Sequence, residues 1–248
     1  MVEVVYQREP EQALVDDLLY AGIDIGLNNL AALTSNKQGF MPRIVNGRPV
    51  KSINQWYNKE RARLQSHLSS QKRFTSKQLE RITTKRTRKI NHYLHGASRR
   101  IIDLLVLEGI GHLVIGINSE WKQGANLGKR NNQNFGAPHA RFIDLLTYKA
   151  QLVGIQVHIT EESYTSKCSF LDHEPLQKHE LYAGRCLKRG LFRSQFGTLI
   201  NADVNGSLNI IRKVAPAAFA SGSRGYAVHP MPLSVGAYMR NGVFVTIS

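Results

Sequence analysis

Two aspartates sit where a carboxylate needs a partner. Asp24 lies in the run Ala21–Asn36, AGIDIGLNNLAALTSN, between two isoleucines, and is followed by Gly26 and the polar pair Asn28–Asn29. A carboxylate inside a β-branched run is costly to bury unless a metal or a hydrogen-bond donor takes it up. Gly26 would let backbone or a phosphate approach closely; a turn aspartate between two strand segments is the alternative. Asp203, in INADVNGSLNII near the other end of the chain, has a similar setting. It also has a second reading, because Asn201 or Asp203 can cap a helix over Val204–Val214. Capping would leave Asp203 facing its own backbone, so the two roles compete. Carboxylates that converge can hold Mg²⁺ or Mn²⁺, hard ions that take oxygen ligands, roughly 4 Å apart for phosphodiester hydrolysis.

The stretches GIDIGLNNLAAL, YKAQLVGIQVHITEESYTSKCS and INADVNGSLNII, in that order, resemble the C-terminal nuclease half of the TnpB (OrfB) proteins of insertion sequences, relatives of the type V CRISPR effectors. The resemblance runs from about Ala21 to about Val214. It implies an α/β fold: an RNase H-like (RuvC-type) mixed sheet flanked by helices, with an inserted basic helical hairpin. It also implies an RNA-guided DNA endonuclease dependent on Mg²⁺ or Mn²⁺, with DNA and a guide RNA as partners. The family places a nucleic-acid-binding barrel and a helical domain before this point. Almost none of that length is present, so the chain reads as an isolated nuclease half. A cleavage-inactive binding remnant is the second reading.

By resemblance, Asp24 and Asp203 match the family's first and third catalytic acids. The family's middle acid, a Glu at the end of the strand matching HLVIG, is replaced by Gly116. Glu108 lies at the far end of that strand, ~25 Å away if the run is extended, and is rejected. Glu120 falls in a long polar loop. Glu161 and Glu162 end the strand QVHIT, which in an RNase H-like sheet lies next to HLVIG. Neighbouring strands are ~4.8 Å apart, a distance a Glu can span, and Gly116 would leave the space above it open. Successive strand residues face opposite sides, so only one of the two can point inward. Glu162, at the strand-to-turn transition, is the expected ligand and Glu161 the alternative acid; both as solvated strand-end charges is the plain alternative.

Strands are expected at Ala21–Ile25, Leu30–Thr34, Arg43–Val45, His112–Ile117 and Ile155–Thr160, with a further short strand at Val2–Tyr6. Helical spacing marks Trp56–Gln71, Lys77–Leu107, Phe142–Gly154 and Val204–Val214. Ser169–Leu199 reads as irregular and the tail from Ala217 as loop-like. The implied organisation is 1–20 as remnant or linker, 21–54, 109–167 and 201–216 as parts of the nuclease, 55–108 as the inserted hairpin, 168–200 as a degenerate zinc-knuckle insert, and 217–248 as tail.

Charge singles out the hairpin. The chain carries 33 Lys and Arg against 18 Asp and Glu, a net of +15. Between Lys59 and Arg100 lie thirteen Lys and Arg against two acids, so +11 of that excess is local. Solvated helix faces normally mix signs, and an unmixed run points to phosphate. The expected nucleic-acid contacts are Lys85, Arg86, Arg88, Lys89, Arg99 and Arg100, with Lys122, Lys129 and Arg130 from the long loop. No apolar run approaches the ~18 residues of a membrane span, and no signal segment is visible at Met1, so no membrane partner is expected. Two cysteines, Cys168 and Cys186, suit a reducing, cytoplasmic setting rather than a disulfide framework. The family's zinc knuckle uses two Cys-x-x-Cys pairs between TSK and NADVN, and each pair here retains one cysteine. With Asp172, His173 and His179 the spacing matches no ordinary structural site, so zinc is not expected.

Overall fold

The structure is a computed structural model that describes residues 13, 15–117, 138–219, 228–235, 237–240 and 243–246, with backbone alone at 138 and in the last two stretches. Its centre is a six-stranded mixed sheet. In chain order the strands are β1 (Asp16–Asp24), β2 (Asn29–Ser35), β3 (Arg43–Asn46), β4 (Ile110–Ile117), β5 (Gln156–Glu161) and the two-residue β9 (Met231–Pro232). They lie in the order β5-β4-β1-β2-β3-β9. The first three form an antiparallel meander, while β4 and β5 add in parallel on the far side of β1. β1 is therefore central, and its last residue, Asp24, lies at the same end of the sheet as Gly116 and Glu161.

Alternation along β1 and β4 sorts side chains to two faces. Ala21, Ile23, Leu113 and Ile115 are fully buried in a core that includes Leu94, Ile101 and Leu105 of α2 (Lys77–Leu107) and Phe142, Leu145 and Leu146 of α3 (Pro138–Gln151). The opposite face receives α4 (Ala202–Val214). Gly22 permits this packing: a Cβ there would stand 2.4 Å from the Ser207 carbonyl oxygen of α4. Ser207 fixes the register by donating to the Gly22 carbonyl at 2.7 Å and sharing a hydrogen bond with Thr34 at 2.8 Å. The outer side of α4 carries a second, smaller core of Phe170, Phe192, Ile200, Val204, Leu208, Ile211 and Phe219. That core supports a three-stranded antiparallel arm, β6 (Arg185–Lys188), β7 (Leu191–Arg193) and β8 (Leu199–Asn201).

The expected elements are present with shifted ends. α1 spans Arg48–Ser70, beginning before Trp56 because proline in its first turn is preorganised for a helix start. Ser76 caps α2 by accepting from the Leu79 amide at 3.2 Å. The stretch 169–199 is not irregular throughout, since it carries β6, β7 and the first residue of β8. Its strands are three or four residues long and their alternation is hidden by exposed apolar residues. The tail likewise is not all loop. It contains a 3-10 turn at Pro216–Phe219, β9, and a backbone hairpin of β10 (Ala237–Arg240) and β11 (Val243–Thr246). The strand expected at 2–6 lies outside the described residues. Among the described residues no helix is long and apolar enough to cross a membrane.

Candidate metal-binding acid site

Three elements deliver the acids. Asp24 ends the central strand on the α4 face, and α4 crosses so closely that a Cβ at Gly206 would stand 2.7 Å from Asp24 Oδ2. Asp203 lies in the first turn of the same helix. The competition over its role is resolved by its neighbour: Asn201 is the N-cap, its side-chain oxygen accepting from the amides of Asp203 at 3.0 Å and Val204 at 3.1 Å. Asp203 is thereby freed from capping, and its Oδ2 accepts from Asn29 Nδ2 at 2.5 Å. Asn29, the first residue of β2, thus orients the second acid.

Glu162 comes from the end of β5. Its amide donates to the Ile117 carbonyl at 3.0 Å, continuing the β4–β5 pairing one residue past the strand. The turn is then closed by Thr165, whose hydroxyl and amide both donate to the Glu162 carbonyl. Lys213 of α4 clamps it from outside, donating to the Glu161 carbonyl at 2.7 Å and to Ser163 Oγ at 2.9 Å. Glu161 itself is exposed. Glu162 Oε2 lies 3.3 Å from where a Cβ on Gly116 would be. The space above Gly116 is not open, as the missing side chain suggested: Ile210 Cδ1 of α4 occupies it, 2.5 Å from that Cβ position.

Electrostatics tie the three together. The Asp24 carboxyl is pushed well above the usual carboxylate range, first by burial and then by the charges of Glu162 and Asp203. No Lys or Arg among the described residues forms an ion pair with Asp24 or Asp203. As they stand, no three His, Cys, Asp or Glu among the described residues are gathered tightly enough to enclose a metal. The donor set is nonetheless that of a hard cation: three carboxylates sharing one neighbourhood, where a divalent ion would offset the burial and the repulsion that raise Asp24.

Two neighbours carried no sequence signal. Arg189, in the turn between β6 and β7, reaches the loop beside the acids. With its amide oxygen turned toward the arm, Asn28 accepts from Arg189 Nη2 at 2.8 Å and Nε at 3.2 Å. His139, at the start of α3, is buried and hydrogen-bonds the Gly26 backbone; burial pushes its imidazole down to about 4. Both act across elements distant in sequence, so no local pattern marks them.

The expected nucleic-acid contacts divide. Lys85, Arg88, Lys89 and Arg99 are exposed, with Arg99 3.8 Å from Asp103. Arg86 instead clasps the two hairpin helices, donating to the buried Asn54 at 2.7 Å and lying over the Tyr57 ring. Arg100 does not belong on a contact surface: it is 3% exposed and donates to the Ser234 carbonyl, because its position falls on the inward face of α2. Lys122, Lys129, Arg130 and Glu120 lie outside the described residues.

A mixed sheet of this order, flanked by helices, with acids gathered at the end of its central strand, is a RuvC-type nuclease fold. Residues 3–122 match the OrfB_IS605 family model, described as "Probable transposase", and residues 139–210 match the Cas12f1-like TNB domain. Two solved structures are similar. A Cas12f1–sgRNA–target DNA complex superposes with TM-score 0.60 and 19% identity, over 82% of this chain and 40% of that one. A CRISPR-Cas12f ternary complex gives TM-score 0.57 and 17% identity, over 84% and 40%. The chain thus spans about 40% of the length of these structures. No curated protein matches it. A region matching a probable-transposase model thus precedes a Cas12f1-like TNB domain in one chain.

Proposed function

We propose that the chain is the nuclease part of an RNA-guided DNA endonuclease that hydrolyses a phosphodiester with Mg²⁺ or Mn²⁺ held by Asp24, Glu162 and Asp203. The observation that carries this reading is the placement of three acids from elements far apart in sequence: Asp24 ends the central strand, Asp203 opens the helix that crosses against it, and Glu162 Oε2 stands 3.3 Å from the Cβ position of Gly116 on the adjacent strand. Burial and the other two charges push the Asp24 carboxyl up. When bound, the metal would supply an activated water and neutralise charge developing on the phosphate. The protein's own part is positional. Asn29 holds one oxygen of Asp203, Asn201 relieves Asp203 of capping, and the Lys213 and Thr165 bonds fix the turn that aims Glu162. Arg189 presents a guanidinium beside this loop, a fork suited to a phosphate oxygen pair. Lys85, Arg88 and Lys89 offer a phosphate-binding face along α2, where RNA or DNA would lie.

The test is cleavage of plasmid DNA by the chain carrying the RNA that co-purifies with it. Asp24→Ala, Asp203→Ala and Glu162→Ala should each abolish Mg²⁺-dependent cutting with bound RNA retained, while Glu161→Ala cuts normally. Should Glu162→Ala cut like the parent while Asp24→Ala is dead, the relocated acid is wrong. A parent that retains RNA and never cuts would favour the binding-remnant reading, whose motivation is Gly116.

A further inference from the structure

The resemblance implies a zinc knuckle in the arm, and the side chains present do not fit one. Cys168 is buried and its Sγ donates to the carbonyls of Pro175 at 3.2 Å and Gln177 at 3.6 Å. Burial pushes its thiol up, away from the thiolate a metal needs. Cys186 is exposed and its Sγ donates to the Lys188 carbonyl. His179 Nε2 is engaged with the Pro175 carbonyl at 2.8 Å.

What stands at the root of the arm is a carboxylate. Glu174 is 6% exposed. Its Oε2 accepts from the Ser169 amide at 2.7 Å, next to Cys168, and its Oε1 accepts from the Ala183 amide at 2.8 Å, in the strand approach to Cys186. Its own amide donates to the Ser169 carbonyl, and its carbonyl accepts from Arg212 of α4. His179 lies 3.9 Å from Oε1. Four connections therefore meet on one residue, joining the two segments that a zinc ion would have joined and fastening both to α4. Each carboxylate oxygen binds a backbone amide, so the bonds are charge-assisted and directional. Asn205 and Asn209 of α4 secure the same root from below, donating to the Cys168 and Thr165 carbonyls.

We propose that Glu174 replaces the structural zinc: a buried carboxylate, in place of a tetrahedral metal, closes the arm on itself and sets where its β6–β7 turn stands. The turn carries Arg189 to Asn28, so Glu174 is a positioning residue for that contact; only the consequence for cleavage rests on the nuclease reading.

Hydrogen–deuterium exchange on the full chain tests this without any cleavage assay. In the unaltered protein, the Ser169 and Ala183 amides should be protected equally with and without EDTA, and purified protein should hold far less than one zinc per chain. Glu174→Ala should speed exchange at both amides and across β6–β7 by about tenfold or more. The amides of Leu113 and Ile115, in the central sheet, should stay as they were. Glu174→Gln keeps one accepting oxygen and should release one of the two segments, which also serves if the Ala variant fails to fold. EDTA-sensitive protection, stoichiometric zinc, or unchanged exchange in both variants would overturn the proposal. An unaltered protein that never cuts, with the Glu174 variants losing protection as expected, would count against the nuclease reading alone.

Discussion

Adding a single methyl group at Gly116 probes both the packing of α4 and the room left for Glu162. A Cβ there would stand 2.5 Å from Ile210 Cδ1, 3.1 Å from Ile210 Cγ1 and 3.3 Å from Glu162 Oε2. The first contact is well inside van der Waals distance, and Ile210 cannot easily step aside, because a β-branched residue in a helix has one strongly preferred χ1. Nor can α4 lift freely, since Ser207 ties it to the Gly22 carbonyl and to Thr34. Overpacking of this kind costs about 1–3 kcal/mol, against which Ala gains about 0.5–1 kcal/mol over Gly in a strand. The clash wins, and Gly116→Ala should destabilise by about 0.5–2 kcal/mol. Ile210→Val removes Cδ1 and alone costs about 0.5–1.5 kcal/mol. With that atom gone, the added methyl meets only the milder contacts, so the double variant should be little worse than Ile210→Val. The assay is urea unfolding of all four proteins in EDTA, with m-values compared. A coupling of about 1–2 kcal/mol in favour of the pair is expected; additivity within about 0.5 kcal/mol would refute the packing argument. The same geometry bears on restoring the acid at its family position. Gly116→Glu in a Glu162→Ala background should recover cleavage only when Ile210 is also trimmed.

Asp24→Asn should stabilise the metal-free protein. The folded-state carboxyl titrates above its ordinary value, so Asp24 weakens the fold progressively as pH rises through that window, and the Asn variant escapes the loss. A gain of about 1–2 kcal/mol is expected at neutral pH, or about 2–8 °C in Tm for a chain of this size. It should shrink as pH falls from the raised folded-state value toward about 4, below which the carboxyl is protonated in both states, and shrink when Mg²⁺ is added. A lower Tm for the variant at pH 7.5 in EDTA would count against the repulsion. His139 works in the opposite sense. Its imidazole is held down to about 4, so it stays neutral in the fold while the unfolded chain takes up a proton near 6.5. Stability should therefore fall as pH drops from about 6.5 to about 4, by at most ~3 kcal/mol at 1.36 kcal/mol per unit. His139→Gln should flatten this stretch of the profile, and an identical slope in urea titrations would remove His139 from the account. On the hairpin, replacing Lys85, Arg88 and Lys89 with Gln should lower the salt slope of RNA or DNA binding by roughly 0.7–0.9 per lost phosphate contact. Arg86→Gln should instead cost stability through Asn54 and leave the slope nearly unchanged, so a large slope change from Arg86 alone would place it on the binding face.

Local pattern was enough for much of this protein. The short apolar runs at Asp24 and HLVIGI, the 3.6-period spacing of Leu94, Ala97, Ile101 and Leu105, and the turn chemistry between them give the strands and helices of the sheet layer, because those signals depend on neighbours a few residues away. The +11 hairpin is equally visible, since charge needs no fold to be counted. Strand alternation also narrowed Glu161 and Glu162 to one inward candidate, and the structure points Glu162 toward Asp24 and leaves Glu161 exposed.

Other assignments needed the fold. Whether Asp203 caps its helix or faces outward depended on Asn201 taking the cap and on Asn29 arriving from β2's approach. Arg86 and Arg100 look like Lys85 and Arg99 in a charge count, yet the packing of α2 against α1 and the tail turns them inward. The open space expected above Gly116 is filled by Ile210, a residue ninety-four positions away along the chain. Arg189, His139 and Glu174 gain their roles only from partners on other elements. Helix, strand and charge are properties of a few consecutive residues, whereas burial, pairing and the sharing of one small space by three carboxylates are set by which elements pack together, and packing is decided only when the whole chain is folded.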